Sequence, residues 1–283
     1  MSRGASAIRQ SLPAQGALAI LVLLAIIALV APLVSPESFS GYVYTRGGTH
    51  PQFGWRYLLG ADVSGHSILS YVILGARATL GVATLATVVA LAAGGILAAV
   101  TRRLPSVVGG AILFLADGMI AILFLPFLLV LGAFVAGGDA WSLGFLFGLV
   151  GIPAVIVSSV RAGVPPTDSA QSPRPADRGS ANLLHRVPRT KAGAWVRLST
   201  LVLCGFIAAS TTVDFLGFGL PASNPSWGNA LSLVQDYFDA GYWWWVLFPG
   251  LAIAVTLAAV NVLGGALYDA VEIVPEPDNP GSP

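Results

Sequence analysis

Three polar side chains lie within long apolar runs of this sequence or at the ends of such runs, and their presence there needs an explanation. Asp117 falls near the middle of one run, Asp214 near the end of another, and Asn261 inside a third. An aspartate at the centre of a membrane helix costs about 2.5–3.5 kcal/mol, so we expect Asp117 to face protein or water. Either a passing solute or a neighbouring helix would satisfy Asp117. For Asp214 the alternatives are a solute contact and a solvated helix end, and for Asn261 we expect an amide that joins two helices.

The reactive residue types do not form a catalytic constellation. His50, His66 and His185 lie in three separate segments, and the single cysteine, Cys204, lies in an apolar run. A metal site would need ligands brought together from distant parts of the chain, and the sequence has no GxxxxGK[ST] phosphate loop. We therefore predict no metal, no bound cofactor and no enzymatic activity in this chain.

The composition is that of an integral membrane protein. Hydrophobic residues make up 55% of the chain and charged residues 10%, whereas about 25% of a soluble domain is charged. Since a spanning helix needs about 20 apolar residues, we predict an all-α fold with six transmembrane helices. The predicted spans are 16–35, 78–100, 107–134, 141–161, 197–218 and 244–268.

Lysine and arginine decide the orientation of these spans, because cytoplasmic loops carry an excess of both. Arg3 and Arg9 precede the first span, Arg102 and Arg103 follow the second, and half of the basic residues fall between the fourth and fifth spans or at their ends. These segments share one side, so both termini are predicted to be cytoplasmic. The remaining predicted segments are a cytoplasmic N-terminus (1–15), a periplasmic segment (36–77), a cytoplasmic loop (162–196), a periplasmic loop (219–243) and a disordered cytoplasmic tail (269–283).

The predicted periplasmic loop 219–243 combines helix breakers with aromatic side chains. Two prolines and Gly228 interrupt regular structure, and Trp243, Trp244 and Trp245 close the loop. Such tryptophans fit the aromatic belt at the level of the lipid headgroups, and we read all three that way. The aromatic belt does not explain the first half of the loop. We therefore predict that this half forms a shaped surface at this side of the membrane.

Two blocks of the sequence resemble the C-type permease subunit of the oligopeptide/dipeptide/nickel class of ABC importers. The first block reads LGADVSGHSILS from Leu59 and GARATLG from Gly75, where the family has LGTDxxGRDxxSR and GxRxSLxxG. His66 and Ser67 replace the family's Arg-Asp pair, so we expect an ion pair to be missing there. The second block reads FLGFG, PSWGN, LFPGLAI and NVLG, in the family's order, starting at Phe215, Pro225, Leu247 and Asn261.

This resemblance implies a type I ABC importer permease fold in the bacterial inner membrane. The chain would form half of a translocation pathway. This pathway would carry peptides or similar small solutes, including nickel complexes, by alternating access. The implied partners are a second homologous permease subunit, two ATPase subunits that bind ATP and Mg, a periplasmic or lipid-anchored substrate-binding protein and the lipid bilayer, with no nucleic acid. The residues we assign to the pathway or gate are Asp117, Asp214, Phe215, Phe218, Trp227, Asn229 and Asn261.

The cytoplasmic loop departs from the family. Its Glu-Ala-Ala-x-x-x-Gly docking motif aligns with Ser169-Ala170-Gln171 and Pro175, so the glutamate and glycine are absent. We predict that an ATPase still docks through a rebuilt surface. The alternative is a degenerate permease that acts as a scaffold or weakly coupled subunit without ATP-driven transport. The residues assigned to the coupling surface are Ala170, Leu183, Leu184, His185, Arg186 and Pro188.

Overall fold

A computed structural model describes residues 11–35, 47–135, 139–162, 190–221, 224–232, 234 and 241–272. The regular elements within these ranges are helices, and the β pairing recorded there is one isolated bridge between Ala61 and Ser67. The helices are α1 (Leu12–Val34), α2 (Ile68–Thr101), α3 (Ser106–Val135), α4 (Ala140–Ala162), α5 (Lys191–Phe215), α6 (Trp227–Ser232) and α7 (Trp243–Glu272).

Five of these helices, α1, α2, α4, α5 and α7, are long and apolar enough to cross a bilayer. Helix α3 has 30 residues from Ser106 to Val135, and its sequence is apolar over most of that length. Each of the six predicted spans falls on one of these long helices. The structure therefore confirms an all-helical membrane protein over the residues that it describes.

Helix α2 begins earlier than the hydropathy pattern predicts. The predicted span starts at 78, but Ser67 caps the helix by accepting a hydrogen bond from the Ser70 N–H (3.4 Å) and the helix starts at Ile68. Residues 68–77 therefore belong to the helix, and the segment predicted as periplasmic is shorter. Hydropathy missed these nearly three turns, whose apolar side chains, including Ile68, Tyr71 and Ile73, are buried in protein.

The limits of α5 and α7 also differ from the predictions. Thr190 caps α5 through its hydroxyl, which accepts from the Gly193 N–H (2.9 Å), so the helix starts before the predicted position 197. It ends at Phe215, and the glycine that follows, Gly217, has a φ of 82°. Helix α7 continues to Glu272, which corrects the prediction that the disordered tail begins at 269. The later residues of that tail lie outside the described ranges.

Helices α2 and α4 pack most closely because small residues line their contact. A Cβ built on Gly94 of α2 would lie 2.6 Å from the Cβ of Val155 on α4, and one on Gly148 of α4 would lie 2.5 Å from the Cβ of Val89 on α2. Small residues let helix backbones approach in a membrane, where packing replaces the hydrophobic effect between helices. Gly94, Gly95 and Gly264 contact a neighbouring helix, whereas Gly81, Gly250 and Gly265 face open space.

Helices α5, α6 and α7 pack together and against α2. Gly264 of α7 lies against the side chain of Thr200 on α5 with no room for a Cβ. The short helix α6 contacts both long helices and α2, and its first residue, Trp227, has no exposed surface. This arrangement brings α6, which lies within the predicted loop 219–243, onto α2.

Candidate functional site

The segment 47–67 forms a compact loop ahead of α2. The Gly48 N–H donates to the Asp62 carbonyl (2.7 Å) and the Ala61 N–H donates to the Thr49 carbonyl (2.8 Å). Gly60 has a φ of 86°, and a Cβ there would lie 2.6 Å from the indole ring of Trp244. Glycine is required at this point because other residues rarely adopt that backbone conformation. The loop therefore has a fixed shape, on which the start of α7 rests.

Two tryptophans at the start of α7 donate hydrogen bonds to one carbonyl in this loop. The indole Nε1 of Trp245 lies 2.6 Å from the Ala61 oxygen, and that of Trp244 lies 3.4 Å from it. Trp244 and Trp245 are 0% and 1% exposed, whereas Trp243 is 58% exposed. The aromatic-belt interpretation is therefore wrong for Trp244 and Trp245. A buried indole needs an acceptor for its N–H, and a distant loop supplies it.

Asp62 forms a buried polar centre in the same loop. Its carboxylate accepts from the His66 N–H (2.7 Å) and from the Tyr71 hydroxyl (3.4 Å), and His66 Nδ1 lies 3.4 Å from Asp62 Oδ2. Ser67 still leaves the family's Arg-Asp pair absent, as expected, but His66 has a different acidic partner, Asp62. Burial raises the pKa of Asp62, and the hydrogen bonds and charge of His66 oppose that rise. The sequence did not predict this pair, because the family motif compares His66 with its neighbour Ser67 and not with Asp62 on the other side of the turn.

Asp214 at the end of α5 is buried. It is 1% exposed and accepts from the Leu220 N–H (2.8 Å), with the Ser226 side chain as a further hydrogen-bond partner. Gly219 and Gly228 lie so close to Asp214 that neither has room for a Cβ. The interpretation of Asp214 as a solvated helix end is therefore wrong. Its carboxylate holds the chain that leaves α5 against the start of α6.

Trp227 fixes the same chain to α2. Its backbone N–H donates to the Thr79 hydroxyl (3.3 Å), and its indole Nε1 donates to the Val72 carbonyl (3.0 Å). A Cβ on Gly75 would lie 2.6 Å from the indole ring, so the ring packs directly on the helix backbone. Trp227 has 0% exposure, which leaves it no surface to offer a solute within this chain.

Asn229 closes the turn between α5 and α6. Its amide Nδ2 donates to the carbonyls of Leu220 (3.1 Å), Pro221 (3.4 Å) and Asn224 (3.3 Å). We call the buried and half-buried residues that tie segment 47–67, α2, the α5–α6 turn and α7 together the Trp227 framework. Its members are Asp62, Asp214, Trp227, Asn229, Trp244 and Trp245.

Two other predicted gate residues flank this framework with more accessible surface. Phe218 is 42% exposed in the turn after α5, and the neighbouring Leu216 is 44% exposed. Phe215 is half-buried at the last position of α5. The structure thus brings five of the seven predicted pathway or gate residues into one region. Whether they line a pathway stays a prediction.

Asp117 and Asn261 lie away from the framework. Asp117 Oδ2 of α3 is 2.6 Å from Arg161 Nη2 of α4, and the two side chains are 40% and 64% exposed. The ion pair gives Asp117 the protein partner expected of a charge in an apolar run. Asn261 is half-buried in α7.

The opposite end of α5 carries a polar contact that sequence reasoning missed. Glu272 Oε1 accepts from both the backbone N–H and the hydroxyl of Thr190, each at 2.9 Å. Threonine three residues before Gly193 is a recognisable helix cap, but Glu272 was assigned to a disordered tail. The predicted coupling residues lie outside the described residues, and their role stays a prediction; they are Ala170, Leu183, Leu184, His185, Arg186 and Pro188.

No family model matches the chain. Among curated proteins it is similar to the di/tripeptide transport system permease protein DppC of Pseudomonas aeruginosa (strain UCBPP-PA14), with 32% identity over 270 residues, 92% of this chain and 87% of that protein. The dipeptide transport system permease protein DppC of Escherichia coli (strain K12) is 30% identical over 253 residues, 86% of this chain and 81% of that protein. Its namesake from Bacillus subtilis (strain 168) is 27% identical over 267 residues, 92% and 81% of the two chains.

Proposed function

This chain belongs to the peptide-transport permease family of ABC importers, and from that membership we propose that it forms one half of a pathway for peptides or similar small solutes. It is a multi-pass protein of the bacterial inner membrane. We propose peptides because the relatives are named for them, and nickel complexes belong to the same proposed solute class. The pathway would open alternately to either side of the membrane.

The observation that carries the proposal is the Trp227 framework. It ties four separate parts of the chain into one buried structure at one end of the helices, while Phe218 remains 42% exposed beside it. A rigid frame around an exposed turn suits a gate, because the frame moves as a unit when the helices below it move. We therefore place the gate at the turn after α5, with Asp214, Trp227 and Asn229 holding its shape.

We also propose six spans with both termini in the cytoplasm. Helix α3 has 30 residues, which at 1.5 Å per residue extend about 45 Å and exceed the ~30 Å hydrocarbon thickness. With α3 spanning, the loop between α4 and α5 and the basic residues Arg102 and Arg103 lie on the same side. The positive-inside rule makes that side cytoplasmic, so the Trp227 framework faces the periplasm.

The proposed assembly contains a second permease subunit, two ATPase subunits and a periplasmic or lipid-anchored substrate-binding protein. ATP and Mg would bind to the ATPase subunits, because this sequence has no phosphate loop. The ATPases would dock on the loop that precedes Thr190. A scaffold without transport is not favoured, since the chain matches named transport permeases over most of its length.

Reconstitution tests this function. The chain is co-expressed with a partner permease, ATPases and binding protein, and the purified assembly is placed in proteoliposomes to measure ATP hydrolysis and uptake of tritium-labelled dialanine. We expect hydrolysis that the loaded binding protein stimulates, together with ATP-dependent uptake. An intact assembly without stimulated hydrolysis would overturn the importer function. Hydrolysis without dialanine uptake would overturn the peptide assignment.

The proposed docking surface can be tested with a variant in the same assembly. Charge reversal in Arg186→Glu should weaken retention of the ATPase, whereas Arg103→Glu reverses an exposed charge outside the loop and should leave retention unchanged. Equal retention by both variants would place ATPase docking elsewhere.

A further inference from the structure

The last residue of α7 is bound to the cap of α5. Glu272 Oε1 accepts hydrogen bonds from the Thr190 N–H and the Thr190 hydroxyl, both at 2.9 Å. The Thr190 hydroxyl oxygen in turn accepts from the Gly193 N–H at 2.9 Å. We call Glu272, Thr190 and Gly193 the Glu272 clamp.

The chemistry of the clamp is well matched to this position. The first N–H groups of a helix have no partner within the helix, and the helix dipole favours a negative charge at that end. Hydrogen bonds to an ionised carboxylate are about twice as strong as neutral ones. A Cβ on Gly193 would overlap the Glu272 carboxylate, so the glycine makes room for the clamp.

Further contacts make α5 and α7 one packed unit above the clamp. Gly264 of α7 has no room for a Cβ against Thr200 of α5, and the Thr200 hydroxyl is occupied by the Val196 carbonyl (2.8 Å). At the far end of α5, Gly228 of α6 packs without space against Asp214. Tight contacts thus run from Thr190 at one end to the Trp227 framework at the other.

We propose that Glu272 is a positioning residue that couples the ATPase-docking loop to the gate, an inference that rests on the function proposed above. The chain emerging from the predicted coupling loop enters the described structure at Thr190, where Glu272 holds it. A displacement of Thr190 is therefore shared by α5 and α7 and carried to the framework. Without the carboxylate, the displacement would act first on α5 and would reach α7 only through contacts further along the helices, such as Thr200 against Gly264.

Transport coupling in the reconstituted assembly tests the clamp. Glu272→Ala removes both acceptor contacts, whereas Glu272→Gln keeps an acceptor oxygen at the same distance along the side chain. We expect Glu272→Ala to lower dialanine uptake per ATP hydrolysed by at least about tenfold, since the loss of one hydrogen bond to a charged group already corresponds to about that factor. Glu272→Gln should retain more uptake than Glu272→Ala but less than the original chain, because a neutral oxygen accepts weaker hydrogen bonds. Assembly and basal ATP hydrolysis should be unchanged in both.

Thr190 gives an independent measure. Thr190→Val removes the hydroxyl and should uncouple hydrolysis from uptake in the same direction, while Thr190→Ser should restore coupling. Thr212→Val is the matched control, because the Thr212 hydroxyl also lies on α5 but donates to the Ala208 carbonyl of its own helix (2.8 Å). It should transport as the original chain does.

The outcomes separate the clamp from the function on which it rests. If the unaltered assembly neither hydrolyses ATP under stimulation nor takes up dialanine, the proposed function fails. If that assembly is active and Glu272→Ala has the same uptake per ATP, the function stands and the clamp is refuted. Loss of assembly in both Glu272→Ala and Thr190→Val would show a purely structural contact and would equally refute the coupling role.

Discussion

Individual side chains at the Trp227 framework act through hydrogen bonds that span large distances along the chain. Trp245 and Ala61 are 184 positions apart, and Trp227 and Val72 are 155 apart. Each indole N–H is buried and would be costly without its carbonyl. The framework residues are therefore held by partners that no local sequence pattern indicates. Their contribution to stability can be measured by removing one hydrogen-bond donor at a time.

Removing the indole donor of Trp245 should destabilise the protein. Trp245→Phe leaves the Ala61 carbonyl with the longer Trp244 contact, and an incompletely satisfied buried group costs about 1–3 kcal/mol. We expect a lower thermal unfolding midpoint for the purified assembly in detergent. Trp243→Phe is the control, because Trp243 is 58% exposed. Equal midpoints for the two variants would contradict the role assigned to the buried indole.

Asp62 should make stability depend on pH. Burial raises the pKa of Asp62 in the folded chain, so the fold favours the protonated form over the charged one. The stabilisation is present in full below the unfolded pKa of about 3.9 and is lost as the pH rises through the higher folded value.

The measurement is the unfolding midpoint between about pH 4 and pH 8, for the original chain and for Asp62→Asn. Asparagine keeps an acceptor for the His66 N–H but does not titrate. The part of the pH dependence of the unfolding midpoint that comes from Asp62 should therefore disappear. The same slope in both proteins would show that another group is responsible.

At the scale of elements, the long helices are positioned by small residues in some turns and by caps at their ends. The α2–α4 contact depends on Gly94 and Gly148, and α5 starts where Thr190 satisfies its first N–H groups. Hydropathy locates the middle of each helix because apolar length is what a bilayer requires. It does not locate ends such as Ile68, where burial in protein replaces burial in lipid.

Helix α2 should tolerate alanine at one of its glycines and not at another. Gly94→Ala places a methyl group 2.6 Å from Val155 Cβ, and such overpacking costs about 1–3 kcal/mol. Gly81→Ala changes the same helix at a position with open space and should be neutral or stabilising by up to about 1 kcal/mol. Unfolding midpoints of the two variants decide this, and a more stable Gly94→Ala protein would contradict the packing.

For the whole molecule, composition alone predicted a helical membrane protein, and each predicted span falls on a long helix. The same reasoning failed at Trp244, Trp245 and Asp214, because burial there depends on tertiary partners. It also failed at Glu272, where an acidic, proline-rich composition suggested disorder although the first residues complete α7. The sequence pattern thus predicted the helices, whereas the contacts between them could be identified only from the structure.

The proposed orientation can be tested with single cysteines in a chain carrying Cys204→Ala. Ser142→Cys, near the start of α4, and Ser106→Cys, at the start of α3, occupy exposed positions. We expect a membrane-impermeant maleimide to label Ser142→Cys in cells with a permeable outer membrane, and Ser106→Cys after the inner membrane is disrupted. The reverse order would invert the topology.

The shared carbonyl of Ala61 has a consequence for how the protein is made. At a synthesis rate of about 5–20 residues per second, the 184 positions between Ala61 and Trp245 take roughly 10–40 s to emerge. During that time segment 47–67 has been translated but lacks the tryptophans that complete it. In the proposed orientation, a ribosome that stops before α7 would therefore release a chain whose segment 47–67 stays open to periplasmic proteases.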